Sequence, residues 1–301
     1  MHYKIFFILF FLTTLNSFAG KYESDLKKLS KLNSFIDNSG NAYQIDQINN
    51  PENTILILYS HGSQGDNKSD KCMKSWTKTP PVLTQLHNAK INNLEIKIYT
   101  LCSGVRGWSQ VEQDKMVDDF NKIGKLSLKF KDKDGLLLID KQKQILKQKV
   151  ILEKVREFEM LGFKNIILAG HSAGGWSSIA LYSYYPEIVK GAIAFNPAFA
   201  GKLVTNKDEF WSAVRIREIE KMKLSNSSNI LVYGHNQDAY ETPDTLTFLS
   251  RLDNIKLVDL SSTLCEGEMM TGGDHGIPLN KCFAVQEKKD RNISNYLLEI
   301  F

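Results

Sequence analysis

The sequence predicts an α/β fold: a mostly parallel, twisted sheet with helices on both faces and no large lid domain. Short apolar runs, several of them β-branched, alternate along the chain with longer amphipathic segments. Such alternation is typical of parallel sheets with helical crossovers. Several of the apolar runs are uninterrupted, as in strands that are covered on both faces. A hydrophobic content of 42% and a charged content of 24% suit a globular protein.

Six apolar runs are predicted as strands of this sheet. They are Ile55–Tyr59, Leu94–Leu101, Asn165–Ala169, Gly191–Phe195, Asn229–Tyr233 and Ile255–Leu260. Ahead of them, Ser34–Asp37 and Ala42–Ile48 flank Asn38–Asn41, which is typical of a hairpin turn.

Helices are predicted between the strands and at the end of the chain. They are Pro81–Ala89, Asp140–Leu161, Gly175–Tyr185, Asp208–Lys223, a helix opened by Thr242-Pro243-Asp244, and Phe283–Glu299. The region Val105–Asp140 is the exception, because it is long and charged and contains Gly124 and Gly135. We predict it only as helix fragments and an excursion from the sheet.

Residues 1–19 have the pattern of a signal peptide. Lys4 precedes the apolar run Ile5–Leu15, and Ser17-Phe18-Ala19 supplies small residues at the cleavage position. The run is shorter than the roughly 20 residues that span a bilayer. We therefore expect cleavage after Ala19, a secreted or periplasmic product without a stable membrane anchor, and a single domain over residues 20–301.

The charge pattern argues against a nucleic-acid partner. The formal net charge is only +4, and the charges are dispersed. The lysine-rich stretch Lys129–Lys154 is interleaved with acidic and apolar residues, which indicates a solvated helix face rather than a phosphate track.

The chain contains four cysteines, an even number, and pairing is the expectation for an exported protein. Three connectivities are possible, and buried free thiols are the alternative. We favour Cys72–Cys102, whose members each follow an apolar region, and Cys265–Cys282, whose members are close in sequence.

The segment Gly170-His-Ser-Ala-Gly174 matches the pattern G-x-S-x-G, directly after one predicted strand and before a helix. In this context the pattern produces a sharp, strained turn that lifts the serine hydroxyl clear of the sheet. Ser172 is therefore the candidate nucleophile. An ordinary glycine-rich turn between strand and helix is the alternative.

From Ile55 onward the chain resembles the α/β-hydrolases, in particular secreted esterases and lipases with a minimal core like that of the dienelactone hydrolases. Their chain order of nucleophile, acid and histidine implies a triad of Ser172, Asp238 and His275, since Asp238 follows a late strand and His275 lies in a glycine-rich loop after the last one. Glu241 and Asp244 remain alternative acids.

The resemblance also implies two backbone donors for an oxyanion. One is the N–H of Ala173, directly after the nucleophile. The other is implied by His61-Gly62, which is similar to the oxyanion turn of the family. This similarity points to the N–H of Ser63, with Gly62 or Gln64 as alternatives. The bridge Cys265–Cys282 would close the loop that carries His275.

The expected activity is hydrolysis of carboxylic esters or related acyl compounds through an acyl-enzyme, with a small acyl molecule as substrate. No cofactor is implied. No metal is expected either, because His61, His171 and His235 lack helical spacing and a completing acid. The alternatives are a peptidase or acyltransferase with the same triad, and a secreted binding protein without turnover. The oligomeric state is not predicted.

Overall fold

The computed structural model describes residues 33–62, 78–103, 105, 107–199, 208–225, 228–251, 255–263 and 273–301. The described residues form strands β1 Ser34–Ile36, β2 Ala42–Tyr43, β3 Thr54–Ser60, β4 Lys90–Ile91, β5 Leu94–Leu101, β6 Asn165–His171, β7 Gly191–Phe195, β8 Ile230–Gly234 and β9 Ile255–Asp259. Their helices are α1 Pro81–Thr84, α2 Gln110–Ile123, α3 Lys143–Met160, α4 Ala173–Tyr184, α5 Glu209–Met222, α6 Lys281–Asp290 and α7 Asn292–Ile300.

The strands form one mixed sheet in the order β2-β1-β5-β3-β6-β7-β8-β9, with β4 beside β5. The six strands from β5 to β9 in this order are parallel to their neighbours. By contrast, β1 is antiparallel to both β2 and β5, and β4 is antiparallel to β5. The predicted mostly parallel sheet and its hairpin are confirmed, and all six predicted strands belong to it.

Two hydrophobic cores lie on opposite faces of this sheet, and β3 contributes alternate residues to both. Leu56 and Leu58 belong to the core that α2, α3, α4 and α5 cover. Ile55, Ile57 and Tyr59 belong to the core that α1, α6 and α7 cover. All five side chains are fully buried. An unbroken apolar run is the sequence pattern that this two-sided burial requires.

The long helix predicted over Asp140–Leu161 divides near its start. A 3-10 turn, Leu138–Lys141, comes first, and α3 follows with the Gln142 side chain accepting from the first turn. The helix ends where predicted, since Gly162 has a φ of 95°, which glycine adopts without strain.

The single helix predicted over Phe283–Glu299 was wrong, because the chain breaks into α6 and α7 at Arg291. That residue has a φ of 57°, and its N–H donates to the Glu287 carbonyl at 2.7 Å. The Glu287 carboxylate then accepts from the Ile293 N–H at 2.6 Å and opens α7. The break changes direction between two short helices that both pack on one face of the sheet.

The remaining helical predictions are confirmed with changed bounds or type. The predicted helix over Pro81–Ala89 is α only to Thr84, and the segment after Thr242 is a 3-10 helix, Pro243–Arg251. Within Val105–Asp140 the structure has α2, which begins at a capping box formed by Ser109 and Glu112.

Several predictions lie outside the described residues, namely the signal peptide over residues 1–19, the donor Ser63, and the cysteines Cys72 and Cys265. Neither Cys102 nor Cys282 is a free thiol, but the pairing stays a prediction. Among the described helices, none combines the length and the hydropathy needed to cross a bilayer.

Candidate active site

Ser172 occupies the one-residue turn between β6 and α4. Its φ of 54° and ψ of −121° place it in a region that side-chain-bearing residues rarely adopt, at a typical cost of about 1–3 kcal/mol. The surrounding backbone holds this conformation. The Ser172 N–H donates to the Phe195 carbonyl at 3.0 Å, and the Ser172 carbonyl accepts from Trp176 at 2.9 Å. The strained turn that the sequence predicts at this position is therefore present.

The small residues around Ser172 are required by close backbone contacts. A Cβ on Gly170 would lie 2.3 Å from the backbone of Gly174, and a Cβ on Gly174 would lie 1.9 Å from the carbonyl oxygen of Ser60. A Cβ on Gly62 would lie 3.1 Å from the Cβ of Ser172. The loop after β3 therefore packs directly against the candidate nucleophile.

Asp238 and His275 meet as the resemblance implies. The Nδ1 atom of His275 lies 2.7 Å from Oδ2 of Asp238, whose side chain is fully buried. The second oxygen, Oδ1, accepts from the Tyr240 N–H at 2.8 Å. The Tyr240 ring also packs on the imidazole, with centroids 4.3 Å apart. The carboxylate is thus fixed by the backbone and the ring by two neighbours.

The alternative acids have other partners. Glu241 forms a bidentate ion pair with Arg215, with both N–O distances at 2.8 Å. Burial nevertheless raises the pKa of Glu241 above its usual value. Asp244 lies in the first turn of the 3-10 helix after Thr242, as expected for a residue that starts a helix. Of the three candidates, Asp238 contacts the histidine.

His275 lies in a 3-10 helix, Gly273–Leu279, which we call the base loop. Its backbone is held by two side chains from neighbouring strand ends. His171, the residue before Ser172, places Nε2 at 2.7 Å from the His275 carbonyl. Asn196 donates from Nδ2 to the carbonyls of Asp274 at 3.0 Å and His275 at 2.9 Å. Sequence analysis did not select Asn196, although its position directly after an apolar strand places it at the edge where functional groups gather.

Burial sets the protonation of two histidines near Ser172. It lowers the pKa of His171 to about 3, with a smaller contribution from the charge of His275. His171 is therefore neutral near pH 7, and its contact with a carbonyl puts the proton on Nε2. Burial, followed by the charge of Lys147, lowers the pKa of His61 well below its usual value. The Nδ1 of His61 lies 2.6 Å from the Gly62 carbonyl.

Lys147 contradicts the prediction of a solvated lysine face over Lys129–Lys154. Its side chain is 1% exposed, and Nζ lies 3.0 Å from Ser103 Oγ and 3.5 Å from the Gly62 carbonyl. The lysine therefore lies beneath the loop that packs on Ser172. Local sequence pattern assigned it to solvent because its neighbours are charged, whereas its oxygen partners come from the ends of β3 and β5.

A second α3 side chain supports the helix that follows Ser172. Gln144 donates from Nε2 to the Ala173 carbonyl and to Ser177 Oγ, the latter at 2.8 Å. Ala173 is the first residue of α4 and is 3% exposed. The first N–H groups of a helix have no partner within it, and the Ser172 side chain does not cap α4. The Ala173 N–H thus has the position expected of an oxyanion donor.

The three histidines considered as a metal cluster have separate hydrogen-bond partners. His61 contacts the Gly62 carbonyl, His171 contacts the base loop, and His235 accepts from the Gln237 N–H at 3.0 Å. The described part of the chain contains no group of three or more potential metal ligands.

The strained turn at Ser172 follows a strand in the middle of a mostly parallel sheet, Asp238 follows β8, and His275 follows β9. This chain has an α/β-hydrolase fold. No family model matches the sequence, and no curated protein matches it.

Solved structures of similar overall arrangement include three hydrolases. Est1E from Butyrivibrio proteoclasticus is 15% identical, with a TM-score of 0.47 over 83% of this chain and 90% of its own. The acylaminoacyl peptidase of Pyrococcus horikoshii is 12% identical, with a TM-score of 0.48 over 81% of this chain and 37% of its own. The peroxisomal alpha-beta-hydrolase Lpx1 of Saccharomyces cerevisiae is 13% identical, with a TM-score of 0.46 over 86% and 80%. Such a likeness is one of fold and carries no information about substrate.

Proposed function

We propose that this protein is a serine hydrolase that cleaves carboxylic esters or related small acyl compounds. The observation that carries the proposal is the 2.7 Å contact between His275 Nδ1 and Asp238 Oδ2. The His275 carbonyl in turn contacts His171, the residue next to Ser172. A histidine held by a buried carboxylate is the base that a serine hydroxyl needs, because the carboxylate orients the ring and stabilises its charge.

In the proposed reaction the Ser172 hydroxyl attacks the acyl carbonyl while His275 takes its proton. The protonated imidazole then returns that proton to the leaving alcohol, and an ester links the acyl group to Ser172. Water repeats the sequence and releases the acid. The N–H groups of Ala173 and Ser63 stabilise the oxyanion in both steps, each contributing about 3 kcal/mol.

A fluorophosphonate probe tests the nucleophile. Wild-type protein should become labelled at Ser172, and Ser172→Ala should abolish labelling. Ser178 lies further along α4 and is buried, and its hydroxyl donates to the Gly174 carbonyl at 2.9 Å. Ser178→Ala is therefore the matched control and should label like the wild type. Label that persists in Ser172→Ala would remove the nucleophile from the proposal.

A panel of p-nitrophenyl esters of increasing acyl length tests the reaction class and the depth of the acyl pocket together. Cleavage of amide substrates, or transfer of the acyl group to an added alcohol or amine in preference to water, would instead identify a peptidase or an acyltransferase. A protein that neither labels nor turns over any of these would be a binding protein of the same fold.

The proposal includes export. Residues 1–19 would direct the chain to a secreted or periplasmic location, where the bridges Cys72–Cys102 and Cys265–Cys282 are able to form. The second bridge would limit motion of the segment before His275, which suits a base that must be held within a fraction of an ångström.

A further inference from the structure

Asn196 is a fully buried polar residue that the proposed reaction does not use. It follows β7 directly, and its φ of 40° lies in the left-handed region. The register of β6 and β7 places Phe195 opposite His171. Asn196 therefore lies beside the strand end that carries Ser172. We call this side of the sheet, where the parallel strands have their carboxyl ends, the carboxyl edge, and the side of their amino ends the amino edge.

The Asn196 side chain is committed to the base loop. Nδ2 donates to the carbonyls of both Asp274 and His275, at 3.0 and 2.9 Å. The His275 carbonyl also contacts Nε2 of His171, and the His275 ring contacts Asp238. Side chains at the ends of three adjacent strands, β6, β7 and β8, thus contact His275: His171 and Asn196 contact its carbonyl, and Asp238 contacts its ring.

We infer that Asn196 is a positioning residue that fixes the backbone of His275 and thereby the direction of its imidazole. The catalytic consequence rests on the proposed function. Asp238 and Tyr240 set the tilt of the ring, whereas the position of the ring depends on the backbone of the short 3-10 helix Gly273–Leu279 that carries it. Anchoring two consecutive carbonyls to a buried amide restrains the backbone on which the ring is mounted. A misplacement of about 1 Å at a catalytic group can lower a rate about a hundredfold.

The left-handed backbone conformation at position 196 also favours asparagine. Asparagine is among the few residues with a side chain that adopt left-handed conformations readily. Its N–H also donates to the Tyr233 carbonyl at 2.8 Å, which holds the strand end in line with β8. The turned backbone places the amide under the base loop, where the described residues offer its Oδ1 atom no hydrogen-bond partner. The side chain is therefore held through its two donor bonds.

Two variants separate the amide from the backbone conformation. Asn196→Gly keeps the left-handed turn without strain and removes both donors. Asn196→Asp keeps the shape and places an oxygen where the two carbonyls require a donor. Asn229→Ala is the matched control. The Asn229 Nδ2 also donates to a carbonyl beside a strand, that of Lys190 at 3.3 Å, but at the amino edge of the sheet.

Both Asn196 variants should lower kcat for a p-nitrophenyl ester and the rate of fluorophosphonate labelling by about ten- to a hundredfold, with KM changed less than about threefold. Asn229→Ala should stay within about twofold of the wild type in all three. A merely structural asparagine would lower the midpoint of thermal unfolding and leave the rates of the folded fraction unchanged.

A proton NMR measurement makes the test independent of turnover. The proton that His275 Nδ1 shares with Asp238 should give a downfield resonance in the wild type, absent in Asp238→Asn. In both Asn196 variants this resonance should broaden or shift upfield, and in Asn229→Ala it should be unchanged. An unaltered resonance together with wild-type labelling rates in Asn196→Gly would overturn the inference. A wild-type protein that shows the resonance but no labelling would instead refute the proposed function.

Discussion

The carboxyl edge and the amino edge of the central sheet carry similar polar side chains, but these side chains make different contacts. At the carboxyl edge the residues that follow β6 and β7, Ser172 and Asn196, have φ values of 54° and 40°. Polar side chains from these strand ends reach across 78 to 104 positions of sequence to the loop of His275. These long-range hydrogen bonds converge on the backbone carbonyls of Asp274 and His275.

At the amino edge the polar groups satisfy the backbone. The Tyr296 hydroxyl lies 2.7 Å from the Asn229 carbonyl and 3.2 Å from the Ala192 carbonyl. The Asn165 amide donates to the Glu52 carbonyl at 3.0 Å. These contacts tie strand beginnings to neighbouring helices and turns. Polar composition therefore does not distinguish the edges, whereas the convergence of hydrogen bonds on the segment that carries His275 does. Removing a hydrogen-bonding side chain at the carboxyl edge should therefore lower activity, whereas removing one at the amino edge should lower stability and leave activity unchanged.

The largest expected effect is the loss of activity in Asp238→Asn. The amide cannot stabilise a charged imidazole and favours the wrong tautomer of His275, so kcat should fall about 10³- to 10⁴-fold. The midpoint of thermal unfolding should change little, because the variant is isosteric. Asp259→Asn, at the exposed end of β9, is the matched acid and should remain within about twofold. Equal activity in the two variants would contradict the assignment.

Gly174→Ala should have the largest effect on stability. Its new Cβ would lie 1.9 Å from the Ser60 carbonyl oxygen, so α4 or β3 must move. We expect a loss of about 4 kcal/mol or more in the free energy of unfolding, measured in denaturant. Gly124→Ala has a positive φ but open space around its Cβ, so it should cost only about 1 kcal/mol. A smaller loss in Gly174→Ala than in this control would mean that the contact is not close.

Tyr296→Phe tests the amino edge. Removing the buried hydroxyl leaves the carbonyls of Ala192 and Asn229 with one partner fewer, which should lower the free energy of unfolding by about 1–2 kcal/mol. The rates of ester hydrolysis and probe labelling by the folded protein should be unchanged. A tenfold fall in kcat would contradict the expectation that contacts at the amino edge affect stability and not activity.

The last expected effect is gradual, a pH dependence of stability from His171 that builds up over several pH units. Burial lowers its folded pKa to about 3 from 6.5, so between these values the unfolded chain binds a proton that the folded state does not. Stability is therefore lost as the pH falls through this window, by at most about 1.4 kcal/mol per pH unit. His171→Gln keeps a donor for the His275 carbonyl and does not titrate. Its denaturation midpoints should fall less steeply with pH than those of the wild type, and identical slopes would refute this.

Elements encoded by local pattern were predictable. The apolar runs became strands because two-sided burial requires them. Gly170 and Gly174 were recognisable because the tight turn leaves no room for a side chain two residues before and two residues after Ser172. The helix end at Gly162 followed from the conformational freedom of glycine. The break at Arg291 was missed, since a left-handed arginine has no sequence signature and depends on Glu287 accepting from the next helix.

The sequence by itself determined the alternation of strands and helices, the strained turn at Ser172 and the order in which serine, acid and histidine follow one another. The tertiary structure decided which carboxylate reaches His275, that Lys147 is buried, and that Asn196 holds the base loop. The reason is the range of the interactions involved. Periodicity and glycine geometry act over a few residues, whereas these contacts join distant segments and depend on the order and register in which the strands pair.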